Sequence, residues 1–169
     1  WSTMLTHLRL KNFKGWRDTT PIRMAPLTVF FGTNSSGKSS IEQFLLMLKQ
    51  TVDSSDRKMV IFPGDVNTPV NLGSFEELVF GRDVKNKLEF SFDWALPKPL
   101  TVRDPRSKFS RSGDQIRFEA EVGMAGEKHS TLVVNRLEYQ LKKADVETMR
   151  VWVERKQGAK VEHTLDATP

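Results

Sequence analysis

The sequence contains no cysteine, so neither a disulfide framework nor a thiolate metal site can hold it together. It has no apolar run approaching the roughly 20 residues that cross a bilayer as a helix, and no basic-then-apolar leader opens it. A cytoplasmic protein without a membrane partner is the expectation. Histidine is scarce, and His7, His129 and His163 are scattered without the spacing of a zinc site. No Ser-His-Asp pattern, no nuclease-like carboxylate cluster, no internal repeat and no long low-complexity tract is visible. Neither sign of charge dominates: 26 Lys and Arg against 21 Asp and Glu leave a net charge of +5. That mild excess suits nucleic acid or other anions but selects none.

What is present is an ordinary globular composition, with 38% hydrophobic and 28% charged residues. The 169 residues suffice for one domain or one lobe of a larger one. The opening at Trp1 and the close at Pro169 read as fragment boundaries.

Residues 4 to 13 read as a first strand, and a second is expected near Ile22. After Pro26, the run Leu27-Thr-Val-Phe-Phe31 is short, apolar and β-prone and ends at Gly32. It predicts a buried strand feeding a turn. From Lys38 the period changes, because Ile41, Phe44, Leu45, Leu48 and Val52 recur on one helical face and Leu46 and Met47 widen it. That helix is expected to be largely buried and to stop near Asp53.

Residues 54 to 84 are punctuated by Gly and Pro and read as connecting loops, with a short strand or helical turn around Phe75 to Phe80. Beyond them Leu88, Phe90, Phe92 and Trp94 alternate with polar residues, as do Ile116, Phe118, Ala120 and Val122. Further segments near 132–141, 149–153 and 161–165 continue the theme. Consecutive strands with short turns predict an antiparallel meander, one face packed and one wet. Between two of them lies a basic loop carrying Lys98, Arg103, Arg106, Lys108 and Arg111, which could follow a nucleic-acid backbone or be merely solvated.

Gly32-Thr33-Asn34-Ser35-Ser36-Gly37-Lys38-Ser39 matches G-x-x-x-x-G-K-[ST] at every fixed position, with Ser40 following. Gly32 and Gly37 let the backbone take conformations that side chains obstruct, so that successive N–H groups converge on a phosphate. Asn34 and the serines add donors. Lys38 reaches the β- and γ-phosphates, and the Ser39 hydroxyl is placed to coordinate Mg²⁺. ATP with Mg²⁺ is therefore the expected ligand, with Lys38 as the candidate catalytic residue. Hydrolysis also needs an acid to hold the metal. The nearest candidates, Asp65 after an interrupted apolar run and Asp93 in an alternating one, lack a following Glu.

The segments Leu5-Thr-His-Leu-Arg-Leu-Lys-Asn-Phe-Lys-Gly and Pro26 to Ile41 resemble the N-terminus of the ABC-type ATPases of the SMC, RecF and OLD group. Asn71-Leu-Gly-Ser-Phe-Glu-Glu-Leu is similar to a segment of OLD-like ATPases of the AAA family. The resemblance implies an α/β (α+β) P-loop lobe, a mixed sheet around the P-loop helix (4–53), connecting loops (54–84) and an antiparallel β subdomain (85–169), with the rest of the head absent. It implies Lys14 near the nucleotide and Trp16 against its base, although Trp16 could simply pack and Lys14 could simply be solvated. Homodimers or higher oligomers through ATP-sandwiched heads, an effector such as a nuclease or toxin, and DNA are the partners implied, in a DNA-repair or antiphage system. Gln43, Gln50, Gln115, Gln140 and Gln157 all stand as candidates for the Mg²⁺-linked glutamine. A nucleotide-gated scaffold is the alternative, and a P-loop kinase or GTPase a more distant one.

Overall fold

The computed structural model describes residues 4–56, 58–103, 110–126 and 131–156, and the backbone of 162–168. The chain opens with β1 (Met4–Phe13), β2 (Trp16–Asp18) and β3 (Ile22–Arg23), followed by α1 (Lys38–Asp53). A short helix, α2 (Phe75–Leu78), and a 3-10 turn at 80–82 lead into β4 (Leu88–Arg103), β5 (Ser110–Ala125), β6 (Thr131–Lys143), β7 (Val146–Lys156) and β8 (Glu162–Thr168). All the strands join one sheet in the order β2-β1-β4-β5-β6-β7-β8, with β3 also on β1, and every described pairing is antiparallel.

The alternation in the sequence becomes register. Leu88, Phe90 and Phe92 of β4 stand opposite Val122, Ala120 and Phe118 of β5, so their side chains share one face. Leu8 and Leu10 of β1 extend that face opposite Phe92 and Phe90. Onto it packs α1, through Ile41, Phe44 and Met47, with Leu72, Phe75 and Leu78 of the connector closing the side. Phe44 is the hub, its ring centroid 5.2 Å from Phe13, 5.1 Å from Phe90 and 6.4 Å from Phe92. Edge-to-face and offset contacts of this kind add to the gain from burial alone.

The opposite face of the meander is charged. Arg117 bonds Asp93 and Glu119 across and along the strands, and Arg136 and Arg150 both converge on Glu138, which is buried. Burial pushes the Glu138 carboxyl up, but hydrogen bonds from Arg136 and Gln140 and the nearby Arg150 charge outweigh it and hold it below the usual carboxylate range. One face packed and one face polar is what the alternation predicts.

Two expectations need correction. Leu27–Phe31 is not a strand, and Leu27, Val29 and Phe31 are 82%, 58% and 90% exposed. A buried parallel strand needs crossover-connected neighbours, and among the described residues the chain after α1 runs irregularly to α2 rather than returning as one. The mixed sheet expected around the P-loop helix is therefore not seen among the described residues, whose sheet is antiparallel throughout. Secondly, α1 is covered on one side only: Ile41, Phe44, Met47 and Gln50 are buried while Val52 is 71% exposed. With a single layer beneath it, the wide apolar stripe cannot all be buried.

Other elements match more closely. The helical turn near Phe75 is α2, with the Ser74 amide donating to Glu77 Oε2 at 2.8 Å, and β6, β7 and β8 fall on the three late segments. β2 is an additional three-residue strand. The basic loop is a further correction, because the pairing of β4 with β5 runs out to Arg103 and Ser110: Lys98 and Arg103 lie on β4 and Arg111 on β5, whereas Arg106, Lys108, His129 and Gln157 lie outside the described residues. No described helix is long and apolar enough to cross a membrane.

Candidate nucleotide site

The loop before α1 has the backbone that its glycines and serines permit. Gly37, the N-terminal cap of α1, has φ of 86°, and Ser35 has φ of 63°. Left-handed residues in such a loop help turn backbone amides toward one side, where they can form a concavity for anions. A side chain at Gly37 is excluded twice over, because a β-carbon there would lie 2.6 Å from the Trp16 indole nitrogen and the left-handed φ is itself unfavourable. The first turn of α1 has no side-chain cap and no acidic residue. The positive end of the helix is therefore not offset by an acidic side chain of its own first turn.

Lys38 folds back over this loop. Its Nζ donates to the carbonyls of Gly32 at 2.7 Å and Thr33 at 2.6 Å, with Ser36 Oγ at 3.4 Å. Neutral carbonyls hold an ammonium less strongly than charged phosphate oxygens do. The lysine is thus positioned to exchange them.

Two adjoining clefts meet at Ser36 and Lys38. One, of about 420 Å³, is lined mostly by polar residues and takes in Asn34, Ser35, Gly37, Ser39, Ser40 and Gln43. The other, of about 440 Å³, is more apolar and is walled by Trp16, Thr19, Ile22, Phe30 and Phe31, with Gly32 and Thr33 at its edge. A cleft lined by polar side chains thus adjoins a more apolar one at Lys38.

The structure thus gathers Gly32, Thr33, Asn34, Ser35, Ser36, Gly37, Lys38, Ser39 and Ser40 around one groove. Trp16 joins them, but its Nε1 donates to the Gly37 carbonyl at 3.0 Å, a contact the sequence does not announce. Lys14 lines neither cleft, and its Nζ instead donates to Gln43 Oε1 at 2.8 Å. Burial holds the Lys14 amine below the ordinary lysine range.

Of the candidate glutamines, Gln43 lines the polar cleft, a placement that sequence reasoning did not single out. Its position one helical turn after Ser39 is the signal that could have done so. Gln50 is instead buried, donating to the Phe62 and Val70 carbonyls, and Gln140 donates to Glu138.

Ser39 fits a Mg²⁺ ligand in one respect, since its exposed side chain lines the polar cleft, which contains no carboxylate. Neither acid considered above reaches that cleft. Asp93 is paired with Arg117 on the far face of the sheet, and Asp65 accepts from the Asn67 amide in its own turn. Among the described residues no group of three or more His, Asp or Glu side chains could hold a metal. A magnesium ion here would be held by Ser39 together with the phosphates it neutralises.

Loop, lysine and helix together define the class, a P-loop nucleoside triphosphatase. More particularly, the chain belongs to the AAA ATPase domain family, whose model matches residues 4–145. This is a family of ATP-binding ATPases, whose members generally use ATP with Mg²⁺. No curated protein matches the chain.

Proposed function

We propose that the groove binds Mg-ATP, with the triphosphate over residues 32–40 and the base in the more apolar cleft beside Trp16. The observation that carries this is the Lys38 ammonium, held over the loop by two carbonyls at the mouth of an uncapped helix. Lys38 pairs with the β- and γ-phosphates and neutralises charge developing on the transferred group, and Ser39 holds the metal. When bound, Mg²⁺ supplies further neutralisation of the phosphate oxygens.

The finer reading is an ATPase lobe of the SMC, RecF and OLD-like kind, cytoplasmic, in which ATP closes two heads into a homodimer or higher oligomer. DNA or an effector protein would be the partner, in repair or antiphage defence. Its support is the resemblance over residues 5–50, the exposed loop and the exposed Phe31 at its entrance. The parallel part of the mixed sheet would form when the apolar segment 27–31 gains a neighbour. A nucleotide-gated scaffold with little turnover is the second reading, favoured by Asp65 and Asp93 being engaged elsewhere.

The test compares wild type with Lys38→Ala for Mg-ATP affinity and hydrolysis. Affinity is expected to fall by about 100-fold or more, on the scale of losing a charge-assisted phosphate contact. Turnover that also collapses identifies an ATPase, and Lys38-dependent binding without turnover identifies the scaffold. A wild type that binds no ATP overturns the proposal.

A further inference from the structure

The Trp16 side chain is connected to the loop through hydrogen bonding, which its place in the apolar cleft alone would not require. Its backbone is fixed on β2 by pairing with Phe13, a fully buried residue of β1. From there Nε1 donates to the Gly37 carbonyl at 3.0 Å, and the same carbonyl accepts the Ser40 amide at 3.1 Å. Two donors on one carbonyl fix the plane of the peptide between Gly37 and Lys38. Because that peptide is planar and trans, its N–H points opposite to its C=O. Holding the carbonyl toward Trp16 and the helix therefore aims the Lys38 amide away from them, among the donors of the phosphate loop.

We propose that Trp16 is a positioning residue for phosphate binding, acting through the Gly37 carbonyl to set the direction of the Lys38 N–H. Stacking on a base is a separate role of the same ring. The inference rests on the reading of this groove as an Mg-ATP site.

The experiment measures binding of Mg-ATP and of Mg-tripolyphosphate, which has no base, to wild type, Trp16→Phe and Trp16→Leu, each checked for its melting temperature. Trp16→Phe keeps the ring and removes the N–H. It is expected to bind both ligands about 5-fold more weakly, the effect of one ordinary hydrogen bond, with an unchanged melting temperature. Trp16→Leu should lose that factor for tripolyphosphate and more for ATP. Wild-type-like binding of both ligands by Trp16→Phe overturns the inference while leaving the nucleotide site standing, and so does a loss accounted for by a lower melting temperature. A wild type that binds neither ligand overturns the nucleotide reading and this inference together.

A second measurement avoids the variants. In the ligand-free wild type the Trp16 indole N–H should exchange with solvent more slowly than a free indole. Exchange at the free rate overturns the inference.

Discussion

The Lys14 ammonium donates to the side-chain carbonyl of Gln43 at 2.8 Å, joining the end of β1 to the first turns of α1. The backbone N–H of the same lysine donates to the Leu78 carbonyl at 2.7 Å, and Phe13 bridges to Val79. One residue thus ties the sheet, the P-loop helix and the connector around α2 together. Its hydrogen-bond acceptor on α1 is neutral, so the charge is partly desolvated without a paired carboxylate there.

That arrangement predicts opposite signs for stability and function. A lysine whose folded pKa is depressed costs stability wherever the folded state must carry the charge. The cost is relieved as pH rises through the depressed value toward the ordinary 10.5. Lys14→Met should therefore raise urea stability slightly near neutral pH and reduce the gain in stability toward pH 10. If Lys14 turns from Gln43 to the nucleotide, the same variant weakens Mg-ATP binding, and titration of both properties checks the pair.

Phe44 is fully buried and its ring meets three others. Phe44→Ala should cost about 3–5 kcal/mol, a large part of the stability of a domain this size. Urea unfolding followed by circular dichroism measures it.

The Arg9 guanidinium holds the Asp18 carboxyl down at about 2, through a two-pronged hydrogen bond, helped by the Thr20 amide. The ordinary value is 3.8, so the stabilisation is fully present above about pH 4 and is lost as pH falls toward 2. Because the pair is a third exposed, its worth is under about 1 kcal/mol. Asp18→Asn should lower the melting temperature slightly at pH 7 and flatten the acid limb of the stability curve.

Glu138 is buried between Arg136, Arg150 and Gln140. Glu138→Leu leaves the two guanidiniums facing each other across an apolar side chain and should cost about 2 kcal/mol. Its carboxyl is held low, so the wild type loses this contribution on acidification and the variant does not. Parallel melts at pH 7 and pH 3 distinguish the two.

The elements most legible beforehand were those whose pattern is local. Leu88 to Trp94 and Ile116 to Val122 alternate strictly, and a two-residue period has only one way to bury a face. The spacing of Gly32, Gly37, Lys38 and Ser39 encodes a loop whose chemistry lies mostly in its own backbone. β2 was missed because three residues are too few to show a period. Gln43 was hidden among other glutamines, and Trp16 could be placed near the site but not given its bond to Gly37.

By itself, then, the sequence determined the P-loop, the helix behind it and the alternating strands, because each depends on neighbours a few positions away. Only the tertiary structure decided that β1 lies beside β4, that Leu27–Phe31 has no strand partner among the described residues, and that Lys14 and Trp16 reach Gln43 of α1 and its cap Gly37. Those facts depend on contacts between residues distant in the chain. No local period or spacing carries that information.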